Sequence, residues 1–168
     1  MPISQYPHPV IDFYYSRHRP YYIEAGEWTQ QSMGFRSPFM LCHVLNELGY
    51  EAYVTARKQA PNLRTPLLTN SIREKHRVDK RCPIAVYTST LGNPFQCDVV
   101  VRWILQKPGR LDFEQTPEDD GLVFYWHESY ANIESPHILY LPTANINIFN
   151  RNGTDDSKRC LLYTSRCV

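Results

Sequence analysis

The sequence predicts an α/β fold, in which a Rossmann-like and mostly parallel sheet is flanked by helices. Short apolar runs rich in β-branched residues alternate with segments of helical period, which is typical of strand–helix–strand units. Pro and Gly residues separate these segments, as expected at their ends. Of the 168 residues, 42% are hydrophobic and 21% are charged, as in one soluble globular domain.

The first part of the chain predicts a strand, a long loop, a helix and a second strand, over residues 21–25, 26–36, 37–48 and 51–56. The helix has the clearest signals, because Ser37 is a good cap and Pro38 suits the first turn. Gly49 supplies the left-handed residue that commonly follows a helix. A strand, a helix and a strand in this order predict a parallel crossover unit.

The central part of the chain predicts a second strand–loop–helix unit. Residues 83–88 form an apolar run that indicates a strand buried on both faces. Asn93 and Pro94 then resemble a helix start. Apolar residues follow at helical spacing, and the motif ends at a Pro-Gly pair, so we expect a helix over 94–107.

The remaining elements have weaker signals. Residues 71–80 are charged and predict either a short helix or an extended surface segment, and their basic run indicates a solvated face. Residues 122–126 and 138–141 predict two further strands. Residues 1–19 predict an irregular arm in which 13–15 could add an edge strand.

The composition argues against several classes of protein. A formal net charge of +1 leaves no basic surface of the kind that binds nucleic acid. No apolar run approaches the roughly 20 residues of a membrane span, and the N-terminus does not resemble a signal peptide. The five cysteines have no zinc-site spacing, so free thiols in a reducing cytoplasm are expected.

Three neighbouring motifs, YTSTLGNP at 87–94, VVRWIL at 100–105 and KPG at 107–109, carry a family resemblance. Together they resemble the N-terminal half of bacterial two-domain glycosyltransferases of the GT-B type. Residues 41–50 resemble the first helix of such domains, and residues 139–150 resemble the segment that leaves them. The resemblance covers about residues 20–150.

This resemblance implies a domain organisation. Residues 20–150 would be the acceptor-side domain, and 151–159 would begin the linker to a donor-binding domain. Residues 160–168 match one reading frame of a transposon-end sequencing adapter, so we interpret them as a non-native tail. On this interpretation the chain is part of a longer glycosyltransferase and is itself inactive.

The resemblance also implies the activity. The whole enzyme would transfer a sugar from a nucleotide-sugar to a glycan or lipid-linked acceptor, in the synthesis of surface polysaccharide. It would need neither a metal nor a cofactor besides the nucleotide-sugar donor, and the sequence has no Asp-x-Asp cation motif. Such an enzyme would be cytoplasmic, and a lipid-linked acceptor is compatible with peripheral association with a membrane.

Candidate donor-binding residues lie in two loops that follow predicted strands. Gly34 could let backbone N–H groups approach a phosphate, and Arg36 could pair with it. The relatives often have two adjacent glycines there, whereas this chain has one, and a plain turn glycine explains Gly34 equally well. Ser89, Gly92 and Asn93 form the second candidate loop.

Candidate catalytic residues follow the strand predicted at 122–126. His127 and Glu128 could serve as a base toward the acceptor hydroxyl, or the pair could simply be polar residues at a strand end. In retaining enzymes of this type, the histidine would instead bind the donor sugar. Glu24 and Glu27 are weaker candidates.

Two other functions compete with a glycosyltransferase. One is a non-catalytic, doubly wound domain that binds a nucleotide or a protein partner, although the acidic cluster of a receiver domain is missing. The other is a dinucleotide-binding oxidoreductase, which is disfavoured because no G-x-G-x-x-G motif follows any predicted strand.

Overall fold

The computed structural model describes residues 19–107 and 122–143. Its elements, in chain order, are β1 (Tyr21–Ile23), α1 (Met33–Glu47), β2 (Ala52–Val54), α2 (Asn70–Val78), β3 (Ile84–Tyr87), β4 (Val99–Ile104), β5 (Leu122–Tyr125), a 3₁₀ helix (Glu128–Tyr130) and β6 (His137–Ile138). The predicted arm at 1–19, the strand at 13–15, the linker at 151–159 and the tail at 160–168 lie essentially outside the described residues.

All six strands pair in parallel, in the order β2-β1-β3-β4-β5-β6. The predicted α/β fold with a parallel sheet is therefore confirmed. The predicted strands at 21–25, 51–56, 83–88 and 122–126 correspond to β1, β2, β3 and β5. Of the two outcomes open for 71–80, the helix is correct, because Asn70–Val78 forms α2 with Thr69 Oγ1 accepting the Ile72 N–H.

Side chains of the central strands alternate between two layers of core. Ile23, Val86 and Trp103 face the layer that packs beneath α1. Tyr22, Ala85 and Tyr87 face the opposite layer, which lies on the side of α2. This alternation follows from the two-residue period of a strand, and burial on both faces explains the continuous apolar runs in the sequence.

The prediction of a helix over 94–107 is wrong, because residues 99–104 form the central strand β4. Its inner residues are buried on both faces, so apolar side chains occur at every position except Arg102, including positions that mimic a helical spacing. Asn93 starts a turn instead of a helix, with its side chain bonded to both the N–H and the C=O of Cys97. Gln96 then has a φ of 55°, in the left-handed region that ends a local turn.

The first helix is confirmed but begins one turn earlier than predicted, at Met33. Ser37 therefore lies inside the helix, where its hydroxyl donates to the carbonyl of Met33. Pro38 is also inside and has no N–H to give to the carbonyl of Gly34. Gly49 has a φ of 84°, as expected for the residue after a helix.

Candidate functional site at the carboxyl edge of the sheet

The strand order creates one place where neighbouring strands lead to opposite sides of the sheet. Strand β1 leads to β2 on one side, whereas β3 leads to β4 on the other. In open α/β sheets, ligands bind at the carboxyl ends of the strands at such a switch point. The loops that leave β1 and β3, at 24–32 and 88–98, are therefore where a site is expected.

Glu24, the first residue after β1, links these two loops. Its Oε2 accepts the backbone N–H groups of Thr88, Ser89 and Thr90, at N–O distances of 2.7, 2.8 and 3.2 Å. The hydroxyls of the same three residues also donate to the carboxylate. Successive N–H groups that converge in this way form the type of nest that binds anions. Here a carboxylate of the protein itself fills it.

The charge state of Glu24 follows from these contacts. Burial alone would raise the pKa of its carboxyl group, but the hydrogen bonds from Thr90, Ser89 and Thr88 outweigh burial and hold the pKa below its ordinary value. The carboxylate is thus ionised, and both of its oxygens already accept several donors. This arrangement suits a brace between loops better than a general base, which must be able to receive a proton.

Arg102 holds the same loop from its other side. Its guanidinium donates to the carbonyls of Thr90 and Gly92 and lies 5.0 Å from the centroid of the Tyr87 ring. Arg102 belongs to the central strand β4 and is buried although it is charged. Sequence reasoning missed this role, and the available signal was a lone arginine within the apolar run of residues 99–105.

The second candidate loop is therefore built for its own stability. Ser89 gives both its N–H and its hydroxyl to Glu24, and the Gly92 carbonyl receives Arg102. Asn93 bonds to Cys97 and accepts the hydroxyl of Tyr87. These three predicted ligand-binding residues lie together at the switch point, but their observed hydrogen bonds are made within the protein.

The first turn of α1, which follows the β1 loop, is more open. Its N-cap residue, Ser32, makes no side-chain capping bond. Gly34 has free space around its Cα, since an added Cβ would contact only the Ser32 hydroxyl, at 3.9 Å. Gly26 differs, because a Cβ there would lie 2.8 Å from the Phe35 ring. Packing thus requires Gly26, whereas Gly34 leaves bare backbone at the surface.

Arg36, in this turn, is hydrogen-bonded to the segment that follows β6. Its Nη1 donates to the carbonyl of Thr143 at 3.1 Å. The segment after β6 reaches this position by passing Trp103, whose Nε1 donates to the Leu139 carbonyl. Within the part of the chain that the structure describes, two buried polar atoms here have no hydrogen-bond partner, namely Nε of Arg36 and Oγ1 of Thr143. Buried groups of this kind are uncommon and ask for an explanation.

His127 and Glu128 follow β5 at the same edge of the sheet, as predicted. His127 caps the 3₁₀ helix, because its Nδ1 accepts the Ser129 N–H at 3.1 Å and lies 2.9 Å from the Ser129 hydroxyl. Both residues are exposed. The strand that precedes this pair, β5, lies three strand spacings from β1, about 14 Å.

No match was found for this chain among protein-family models, curated proteins or solved structures.

Neither a metal-ion cluster nor a membrane-spanning helix was found among the described residues. Within 19–107 and 122–143, no group of three or more His, Cys, Asp and Glu side chains is placed to hold a metal ion. No helix in these ranges is long and apolar enough to cross a membrane. The edge offers hydrogen-bond donors, the guanidinium of Arg36 and the exposed His127–Glu128 pair.

Proposed function

We propose that this chain is the acceptor-side domain of a two-domain glycosyltransferase of the GT-B type. The enzyme would transfer a sugar from a nucleotide-sugar to a glycan or lipid-linked acceptor, in the synthesis of surface polysaccharide. The parallel sheet and the position of the switch point are compatible with this function, and the sequence motifs at 87–109 suggest it.

The observation that carries the proposal is the unpaired polar group beside the first turn of α1. Arg36 Nε is a buried donor without a partner, next to a helix start whose side-chain cap is missing. A phosphate oxygen would satisfy both, because helix starts and guanidinium groups each favour anions. In this proposal, Arg36 and the backbone at Gly34 contact the phosphates of the donor.

The openness of the carboxyl edge supports a site shared with another domain. Two cavities of about 460 and 490 Å³ lie elsewhere in the described residues. Large apolar side chains that follow β1 and β3 are about half exposed, namely Met33, Phe35 and Leu91. An open polar edge bordered by exposed apolar residues is what one side of an interdomain cleft would present.

The proposed acid–base residue is Glu128. It is exposed at the carboxyl edge and makes no side-chain hydrogen bond among the described residues, unlike Glu24. His127 has its Nδ1 occupied by Ser129, so only its Nε2 is left to face a substrate. We therefore assign Glu128 to the acceptor hydroxyl and His127 to a hydrogen bond with a sugar.

The phosphate contact is tested by NMR titration of the Arg36 Nε–H resonance with pyrophosphate, UDP and UDP-glucose. We expect all three to shift this resonance with similar dissociation constants of about 1 mM or weaker, because only phosphate is contacted. Arg36→Gln should abolish the response. Arg57→Gln is the matched control, since Arg57 is 92% exposed and forms only a 3.8 Å pair with Glu27.

Two results would contradict the proposal. Micromolar binding of UDP that is far tighter than binding of pyrophosphate would favour a self-sufficient nucleotide-binding domain. An Arg36 resonance that responds to none of the three ligands would remove the phosphate site altogether.

A further inference from the structure

A cavity of about 490 Å³ lies on the α2 side of the sheet, near the amino ends of β3 and β4. It is bounded by α2, by the residues that lead into β3 and by the turn that leads into β4. Parallel neighbours are usually joined through a helix that covers the sheet. The β3–β4 connection has none, so the space beside α2 is left open.

Three arginines line this cavity, but they differ in their partners. Arg77 is paired with Glu74 through two hydrogen bonds, and Arg81 is bonded to Glu51. Arg73, one helical turn before Arg77, donates its backbone N–H to the Thr69 carbonyl, but its side chain has neither a hydrogen bond nor an ion pair among the described residues. Its guanidinium therefore retains its donors for a ligand.

The field of Arg73 reaches the interior of the cavity. Burial raises the pKa of Tyr22 to about 12 and that of Cys97 to about 11, and in both cases the charge of Arg73 opposes the increase. Both residues line the cavity. Asp98, also in the lining, has the reverse effect on Cys97.

The floor of the cavity contains a series of hydrogen bonds that runs from Tyr22 through His76 to Glu51. His76, 2% exposed, lies 2.8 Å from the Tyr22 hydroxyl through Nδ1 and 2.8 Å from the Glu51 carboxylate through Nε2. Because a carboxylate can only accept, the His76 Nε2–H donates to Glu51. These groups are satisfied by one another, so the floor is rigid and ligand recognition falls to the walls.

We propose that this cavity binds a small molecule that carries a phosphate group, with Arg73 as its principal partner. Arg77 is the second contact, because it lies one turn away on the same face of α2 and its pair with Glu74 is largely exposed. A phosphate has enough acceptor oxygens for two guanidinium groups. The partly buried Phe95 ring and Pro83 offer an apolar wall to the body of the ligand.

The test uses inorganic phosphate and phenyl phosphate, which separate binding of the group from binding of an attached body. NMR titration should shift the Arg73 Nε–H and the α2 amides, with phenyl phosphate binding more tightly because it also reaches the apolar wall. Cys82, an exposed thiol in the lining, supplies a second readout. Saturating phenyl phosphate should slow its alkylation, measured on the isolated peptide by mass spectrometry.

Four variants distinguish this site from a general charge effect. Arg73→Gln should weaken binding by about tenfold, as for the loss of a charged hydrogen bond. Lys75→Gln removes the same charge from an exposed position of α2 outside the lining, so it should change binding less than twofold. Asp98→Asn should strengthen binding, since it removes a repelling carboxylate, and Arg36→Gln should have no effect.

Several outcomes would overturn the proposal. One is equal weakening by Arg73→Gln and Lys75→Gln, which would indicate only non-specific attraction. Another is the absence of any shift in the lining with either probe at about 20 mM, well beyond the millimolar range of a weak site. A third is loss of binding in Arg36→Gln, which would place the anion at the carboxyl edge instead.

Discussion

At the scale of single residues, the carboxylates of Glu24 and Glu51 are both kept ionised, but by different kinds of hydrogen-bond donor. Glu24 is held by neutral N–H and hydroxyl donors, whereas Glu51 is held by Tyr53, Arg81 and His76. In both cases burial opposes ionisation and the hydrogen bonds prevail, so both pKa values lie below the ordinary value. Of these two carboxylates, only Glu51 forms an ion pair with an arginine among the described residues. Added salt should therefore reduce the stabilising contribution of Glu51 more than that of Glu24.

Glu24→Gln should lower the free energy of unfolding by about 1–3 kcal/mol, because an amide cannot accept all of the loop donors and leaves part-buried donors of Thr88 and Thr90 unpaired. Urea denaturation followed by fluorescence measures this change. Glu27→Gln is the matched control, and its effect should stay within about 0.5 kcal/mol because its pair with Arg57 is exposed. Equal effects of the two variants would contradict the bracing role of Glu24.

The wild type and Glu24→Gln should also differ in how their stability depends on pH. The lowered pKa of Glu24 means that its contribution to stability is present above the ordinary value of 4.5 and is lost as the pH falls through the folded-state value. The stability difference between the wild type and Glu24→Gln should thus be constant above about pH 5.5 and shrink in acid. A difference that grows on acidification would mean that the folded-state pKa is raised.

At the scale of elements, a single substitution in β4 tests whether residues 99–104 form a strand or a helix. Val99→Ala should lower the free energy of unfolding by about 0.5–1 kcal/mol, because a partly buried strand position favours a β-branched residue. In the helix that the sequence suggested, the same change would stabilise by about 0.5 kcal/mol. Val78→Ala, at an exposed position of α2, provides the contrast and should be neutral or slightly stabilising.

The elements also show what the sequence could and could not predict. Strands β1, β3 and β5 and helix α1 were predictable, because local apolar runs and Pro–Gly signals coincide with their ends. Strand β4 was not, since its apolar residues also fit a helical spacing and follow Asn93-Pro94, which resembles a helix start. For the site, the carboxyl edge followed from the fold, but the roles of Glu24 and Arg102 depend on contacts between distant parts of the chain.

At the scale of the whole molecule, the two proposed anion sites lie in separate places. Arg36 lies at the carboxyl edge of the sheet, whereas Arg73 lies on the α2 face toward the opposite edge. The nest at 88–90, which lies at the carboxyl edge too, is closed by Glu24. Ligands at the two arginines should therefore bind independently.

The proposed domain division gives a prediction for activity. The chain alone should neither hydrolyse UDP-glucose nor bind it with a dissociation constant tighter than about 1 mM, because a few phosphate contacts barely exceed the cost of association. Calorimetric titration and a UDP-release assay measure both quantities. Micromolar affinity or steady release of UDP would contradict an acceptor-side domain.

Joining residues 1–150 to a donor-binding domain of the same type should restore transfer. In that protein, Glu128→Gln should lower turnover by about 100-fold, as for loss of a catalytic base, while the thermal midpoint stays unchanged. Glu134→Gln, another exposed carboxylate after β5, is the control. Equal turnover in the two variants would remove Glu128 from the catalytic role.

The attachments of β1 have a consequence for the order in which the chain folds. Tyr22 is bonded to His76, and Glu24, directly after β1, is bonded to residues 88–90, so these described contacts of the strand wait for later parts of the chain. At the usual pace of a ribosome, residue 90 follows residue 21 by roughly 4–14 s. Strand β1 is thus synthesised first among the described strands but locked late, and its Tyr-Tyr-Ile segment must stay soluble on the nascent chain until β3 and its loop emerge.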